Sequence, residues 1–241
     1  MRTLLSKLSV ILLLLPAVAS QAQERDIVDP GPISKALVYT ITPDYRKCAS
    51  PTCGGYWLTP VNKLSIQIPT LYEAEGDYAP IPKPVYVASI DFSKVGLNKD
   101  EIEKYKGYIG LGRALIKGIL SPYKPVLDDQ YLQVLTANKT WISANEQPAL
   151  GTYLEVRSSG IMCITTPCPY YEGQQINTFW SFLFHELTFD LAALSEKQLI
   201  NAHSLIAKDS LVISGTRFAS QGMAGEGLGI ASTQVYFPFP H

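Results

Sequence analysis

The feature that most constrains this chain is a phrase it carries twice. Arg46-Lys47-Cys48-Ala49-Ser50-Pro51-Thr52-Cys53-Gly54-Gly55-Tyr56 leads on to Asn62, and Ile161-Met162-Cys163-Ile164-Thr165-Thr166-Pro167-Cys168-Pro169-Tyr170-Tyr171 leads on to Asn177. All 4 cysteines of the protein lie in these phrases, and Cys48, Cys53, Tyr56 and Asn62 map onto Cys163, Cys168, Tyr171 and Asn177 at a single offset of 115. A match without gaps over that span reads as an internal duplication, so the same local structure is expected twice.

The match resumes downstream at an offset of 97, where Phe92, Leu97, Ile102, Ile116 and Gly118 meet Phe189, Leu194, Leu199, Ile213 and Gly215. At an offset of 96, Leu132, Val134 and Trp141 meet Leu228, Ile230 and Phe237. The drop from 115 to 97 puts an 18-residue excess in the first copy, at about Pro69 to Pro84. We therefore expect a first module over residues 35–143 and a second over 151–239, with the polar, proline-containing stretch Ala144 to Leu150 as the join.

Each copy checks the reading of the other. Ala36 to Thr42 and Thr152 to Arg157 are β-branched and aromatic runs entering the cysteine phrase, and Tyr56 to Asn62 and Tyr171 to Asn177 leave it, so each phrase is the connection of a hairpin. Val85 to Phe92 and Phe179 to Phe189 read as a further strand, the second apolar on both faces as a central strand would be. Asn98-Lys99-Asp100-Glu101 and Ser195-Glu196-Lys197-Gln198 are capping boxes that start helices burying Ile102, Tyr105 and Ile109, or Leu199, Ala202 and Ile206. Ala114 to Leu120, Leu211 to Arg217, Tyr131 to Thr136 and Gly229 to Phe237 complete the strands. The fold class expected is α+β: two homologous tandem modules, each a mainly antiparallel sheet covered by one helix, in the order ββ-β-α-β-β.

The start of the chain reads as an export signal over residues 1–22, with Arg2 and Lys7, an apolar run from Val10 to Leu15 and small residues before the cut. That run is too short for a membrane span, and no later stretch replaces it, so no integral span is expected after cleavage. No cysteine at the cut offers a lipid anchor. The expected location is the periplasm or the medium. Cleavage after Ala22 removes two basic residues from the 20 present, leaving 18 against 21 acidic, a net charge of 18 − 21 = −3. No basic face is legible, so nucleic acid is not an expected partner.

Export makes disulfides the favoured use of Cys48, Cys53, Cys163 and Cys168 over a metal site or a redox pair. Four intervening residues can bring the α-carbons within the roughly 4.4 to 6.8 Å that a bridge needs. The pairings Cys48–Cys53 and Cys163–Cys168 are selected from three connectivities.

No catalytic constellation is found, and neither a cofactor nor a metal ligand set is expected. His185-Glu186 has Phe189 where a zinc-protease signature needs its second histidine. Gly110-Leu111-Gly112 runs toward a strand, unlike a dinucleotide loop, and the Gly222, Gly225, Gly227 and Gly229 cluster reads as a loop between strands. Trp57, Tyr170, Tyr171 and Trp180 could stack on a sugar, though aromatics in hairpins more often pair across strands. The strongest asymmetry is the excess near 69–84, whose Tyr72, Glu73, Glu75, Asp77 and Tyr78 form a candidate binding loop.

Around its cysteines the chain resembles a family of uncharacterised exported bacterial proteins, a domain of unknown function. That family has Cys-x-x-Pro-x-Cys-Gly-Gly-Tyr in a first half, here Cys48 to Tyr56, and Cys-Ile-Thr-x-Pro-Cys-Pro in a second, here Cys163 to Pro169. The resemblance implies export and two halves, and it brings no activity with it. The leading functional expectation is an exported non-catalytic binding or structural protein, its partner an exported protein. A second is an inhibitor of an exported hydrolase that presents Ala49 to Thr52 or Ile164 to Pro167 as a constrained loop. A third is an enzyme with a site between the modules.

Overall fold

The structure is a computed structural model that describes residues 35–48, 53–62, 84–121, 124–125, 131–223 and 225–240. The first half of the chain forms β1 (Leu37–Pro43), β2 (Tyr56–Pro60), β3 (Val85–Val87), β4 (Ser89–Asp91), α1 (Lys99–Gly110), β5 (Ala114–Leu120), a small ribbon of β6 (Lys124–Pro125) and β7 (Tyr131–Leu132), and β8 (Val134–Ser143). The second forms β9 (Thr152–Ser158), β10 (Tyr171–Gln175), β11 (Ser181–Phe184), β12 (Glu186–Thr188), α2 (Glu196–Lys208), β13 (Leu211–Gly222) and β14 (Gly225–Pro238).

Both helices begin as the sequence indicates. Asn98 accepts from the Glu101 amide at 3.0 Å while Glu101 reaches back to the Asn98 amide at 2.8 Å, and Gln198 bonds the Ser195 amide at 2.9 Å. Each box satisfies two of the backbone donors that a helix start leaves open. Gly112, at φ +68°, closes α1 in the left-handed conformation that glycine adopts without strain. The helices bury Tyr105 and Ile109, and Ala202 and Ile206, against their sheet faces.

The expectation of an α+β fold of two tandem modules, each a sheet covered by one helix, is corrected. The protein is mostly antiparallel β-structure, and a single twelve-stranded sheet runs through both halves. Its strand order is β11-β10-β9-β13-β14-β8-β5-β1-β2-β3, with β12 parallel to β14 and β4 parallel to β8. The halves join where Ser143, Ile142 and Trp141 of β8 face Tyr236, Phe237 and Pro238 of β14. The physical reason is that each half alone would leave an unpaired strand edge there and a second apolar face uncovered.

Two asparagines show how that second face is covered. Asn177 accepts from the Val38 amide at 2.8 Å and donates to the carbonyls of Val38 and Val61 at 2.7 and 3.0 Å. Asn62 does the same in reverse, accepting from the Tyr153 amide at 2.8 Å and donating to Tyr153 and Ile176 at 2.6 and 3.0 Å. Yet β1 and β9 stand five strand steps apart in the sheet, roughly 24 Å if it were flat. An asparagine side chain cannot bridge that distance. The six strands β1, β5, β8, β14, β13 and β9 therefore curl into a barrel, and the asparagines form its seam. Both sit in the left-handed region, at φ 60° and 63°, which asparagine tolerates better than most side chains.

The barrel interior takes one side chain from each of its six strands: Val38, Leu115, Trp141, Tyr236, Val212 and Tyr153, plugged by Val61 and Ile176 from the two seam turns. Two further clusters lie outside the barrel, under α1 and under α2. The interior is thus a packed core shared by both halves and not a pore.

The strand over Phe179 to Phe189 also differs from expectation. It breaks at His185 into β11, which lies at one end of the sheet order, and β12, which pairs with β14. Its double-sided apolarity is met by Phe184 packing inside while Leu183 stays 46% exposed. In the last block, Leu120 faces Leu135 and Arg217 faces Ile230. Positions 97 apart on one strand thus carry partners 95 apart on the next, one fewer than the 96 read from the sequence.

Candidate functional site

The two cysteine connections lie at the ends of hairpins β1–β2 and β9–β10, and both are bridged, Cys48 to Cys53 and Cys163 to Cys168, with α-carbons 5.5 and 5.7 Å apart. Their entries are built alike. The Arg46 amide donates to Asp44 at 3.1 Å, and 115 residues on the Ile161 amide donates to the Ser159 hydroxyl at 3.1 Å. Side-chain turns of this kind fix the chain direction just before each bridge.

The two connections differ in chemistry. In the first, the buried Asp44 carboxylate receives a forked contact from Arg46, Nε at 2.9 and 3.1 Å and Nη2 at 2.9 Å. The Arg46 guanidinium lies over Trp57 and Tyr86 at 4.9 and 5.3 Å, and those rings meet edge to face at 5.3 Å. The Arg46 hydrogen bonds hold the Asp44 pKa down to about 2. At the described entry of this connection Arg46 and Asp44 thus neutralise one another.

In the second, Ile161 and Met162 stand where the first has Arg46 and Lys47. Met162 is 93% and Ile164 fully exposed, whereas Cys168 at the base is 1% exposed. Pro167 seats the loop on the hairpin β13–β14: a Cβ added at Gly222 would stand 2.7 Å from the Pro167 nitrogen, and one at Gly227 would stand 2.9 Å from its Cβ. These glycines are strand residues and not the loop that was expected. Their missing side chains make room for Pro167 and for His185, whose Nδ1 accepts from the Leu228 amide at 2.9 Å. The result is a short, covalently closed loop with an apolar tip and a packed base.

The residues singled out from sequence separate accordingly. Tyr72, Glu73, Glu75, Asp77 and Tyr78, with the segment Ala49 to Thr52, lie outside the described residues. Trp57 belongs to the Arg46 cluster, Tyr171 stacks on Phe184 at 5.1 Å, and Trp180, 75% exposed, sits at the opposite end of hairpin β10–β11 from Tyr170. They form no common stacking surface. Glu186 accepts from the Ser220 hydroxyl at 2.6 Å, and His203 meets the Phe189 ring edge to face at 5.6 Å.

Sequence reading missed one arrangement. Lys117 on β5 and Lys139 on β8 face each other directly, on the side of the sheet turned away from the helices. They line a cleft of about 160 Å³ at the barrel mouth with Lys35, Glu155, Gln174 and Thr178. The available signal was a lysine set at an inward position of the apolar run Ala114 to Leu120.

The architecture is a disulfide-braced, predominantly antiparallel β fold with an exposed apolar loop at one hairpin end. The family model of a domain of unknown function, DUF6748, matches residues 37–241, and the chain belongs to that family. No curated protein and no solved structure gives a match.

Proposed function

We propose that this is an exported, non-catalytic binding protein, built by internal duplication, whose Cys163–Cys168 loop docks on another exported protein. The observation that carries the reading is the exposure of Met162 and Ile164 at the tip of a loop whose base is bridged and packed. A rigid apolar tip loses little conformational freedom on docking and buries surface worth about 25 cal/mol per Å². The two disulfides, and the absence among the described residues of a helix long and apolar enough to cross a membrane, are compatible with export.

The halves support the choice of loop by contrast. At the described entry of the first, Arg46 and Asp44 satisfy one another; the second presents methionine and isoleucine to water. Inhibition of an exported hydrolase would use this same loop, since Ile164 to Pro167 is its described segment.

The test compares the mature protein with the variant Met162→Asp/Ile164→Asp, each immobilised against the exported fraction of its own cell. A protein retained by the first and lost by the second, and then rebound from purified components, supports the reading. Identical retention on both surfaces contradicts it. Assay of a captured hydrolase with and without the protein separates inhibition from simple binding.

A further inference from the structure

A separate observation, at the barrel mouth, concerns the lysine pair. In each half the register shifts once, between Lys117 and Gly118 in the first and between Ser214 and Gly215 in the second. The residue pair just before the shift is Lys117 and Lys139 in one half and Ser214 and Gln234 in the other. Ser214 and Gln234 are both fully buried and neutral, and Gln234 donates to Asn145 and Gln147 at 3.0 and 2.7 Å, sealing that mouth with the join between halves. The lysine mouth is built the opposite way.

Like charges placed directly opposite on neighbouring strands destabilise a sheet. Among the described residues neither the Lys117 nor the Lys139 side chain has an ion pair or hydrogen bond. Lys35 adds a third cation at the rim, its Nζ lying 4.1 Å over the Phe179 ring centre. The carboxylate of Glu155, which lines the same cleft, accepts from Ser210 at 2.8 Å. The floor is the apolar barrel interior, Val38, Trp141, Ile176 and Val212. Over this floor Lys117 is half-buried and Lys139 exposed, so both ammonium groups are open to an anion arriving from solvent.

We propose that Lys117 and Lys139 bind a phosphate group. Two ammonium groups offer only donors and a charge of +2, and a phosphate offers several acceptor oxygens and a charge near −2. A monocarboxylate would leave one of the two positive charges uncompensated. The phosphate is either free or carried on a lipid headgroup, and in both cases the site neutralises a charge pair that otherwise weakens the barrel.

Titration calorimetry of the mature protein with inorganic phosphate at low salt tests this, beside the variant Lys117→Met/Lys139→Met, which keeps the aliphatic stems. Saturable 1:1 binding weakened roughly tenfold for each lysine removed is expected. The variant should also melt at or above the temperature of the parent in buffer, and phosphate should raise the melting temperature of the parent alone. A second arm uses vesicles of phosphatidylcholine with and without phosphatidic acid, where lysine-dependent retention on the acidic vesicles identifies the lipid-borne source. The proposal is overturned if neither phosphate, to roughly 10 mM, nor acidic vesicles bind. It is equally overturned if the variant binds either probe as the parent does.

Discussion

Replacing Asn62 by alanine should test the barrel seam at a single side chain. The substitution removes three hydrogen bonds, one from the Tyr153 amide and two to the Tyr153 and Ile176 carbonyls. At about 1 kcal/mol net for each bond the loss is roughly 3 kcal/mol. Alanine must also hold the φ of 60° seen at this position, at a further cost of about 1 kcal/mol. The expected loss is therefore about 4 kcal/mol, a large part of the 5 to 15 kcal/mol typical of a folded domain. Asn62→Gly isolates the bonds, because glycine adopts positive φ freely, and should lose less than alanine. Urea unfolding followed by tryptophan fluorescence and far-ultraviolet circular dichroism reads both. The two probes should give one coincident transition, shifted to lower urea with little change in slope. A cost below roughly 1 kcal/mol for Asn62→Ala would refute the seam, and so would two separate transitions in the parent protein.

Three further outcomes follow from the same geometry. The Arg46 hydrogen bonds hold the Asp44 pKa at about 2, below the usual carboxylate value of about 4, so its contribution is complete above about pH 4 and lost as the pH falls through about 2. The melting temperature of the parent should fall across that window, and that of Asp44→Asn should start lower and change less. Reducing Cys163–Cys168 opens a loop with a sequence separation of 5, which costs only about 2 kcal/mol on the chain-entropy formula; the circular dichroism of the sheet should survive while docking through Met162 and Ile164 is lost. Gly222→Val places a side chain where Pro167 now packs, so it should weaken docking as strongly as Met162→Asp while leaving a cooperative urea transition.

Local structure was legible because its causes are local. The capping boxes at Asn98 and Ser195 and the paired cysteine hairpins are written within a few residues of one another. What joins the halves was not legible, because the partners of Asn62 and Asn177 lie 91 to 139 residues away in the chain. The recurrence of asparagine at the same offset was visible, but a turn alone explains an asparagine. The apolar second face of β5 and β13, with Leu115 and Val212 pointing away from the helices, was the missed clue that each half needed the other. The long strands β13 and β14 were hidden by their glycines, which read as a loop because their reason, the approach of Pro167, Phe218 and His185, exists only in the folded chain. Lys117 stood in plain sight in a strand, but its opposition to Lys139 required the register.

The most direct test of the closed sheet is amide hydrogen exchange at Val38 and Tyr153, whose N–H groups donate to the side chains of Asn177 and Asn62. If the barrel is closed in solution, both amides exchange as slowly as those of the central β8–β14 pair, through global unfolding. Exchange of either amide at the rate of an exposed loop would show that the sheet is open along that seam and that the two halves do not form one body.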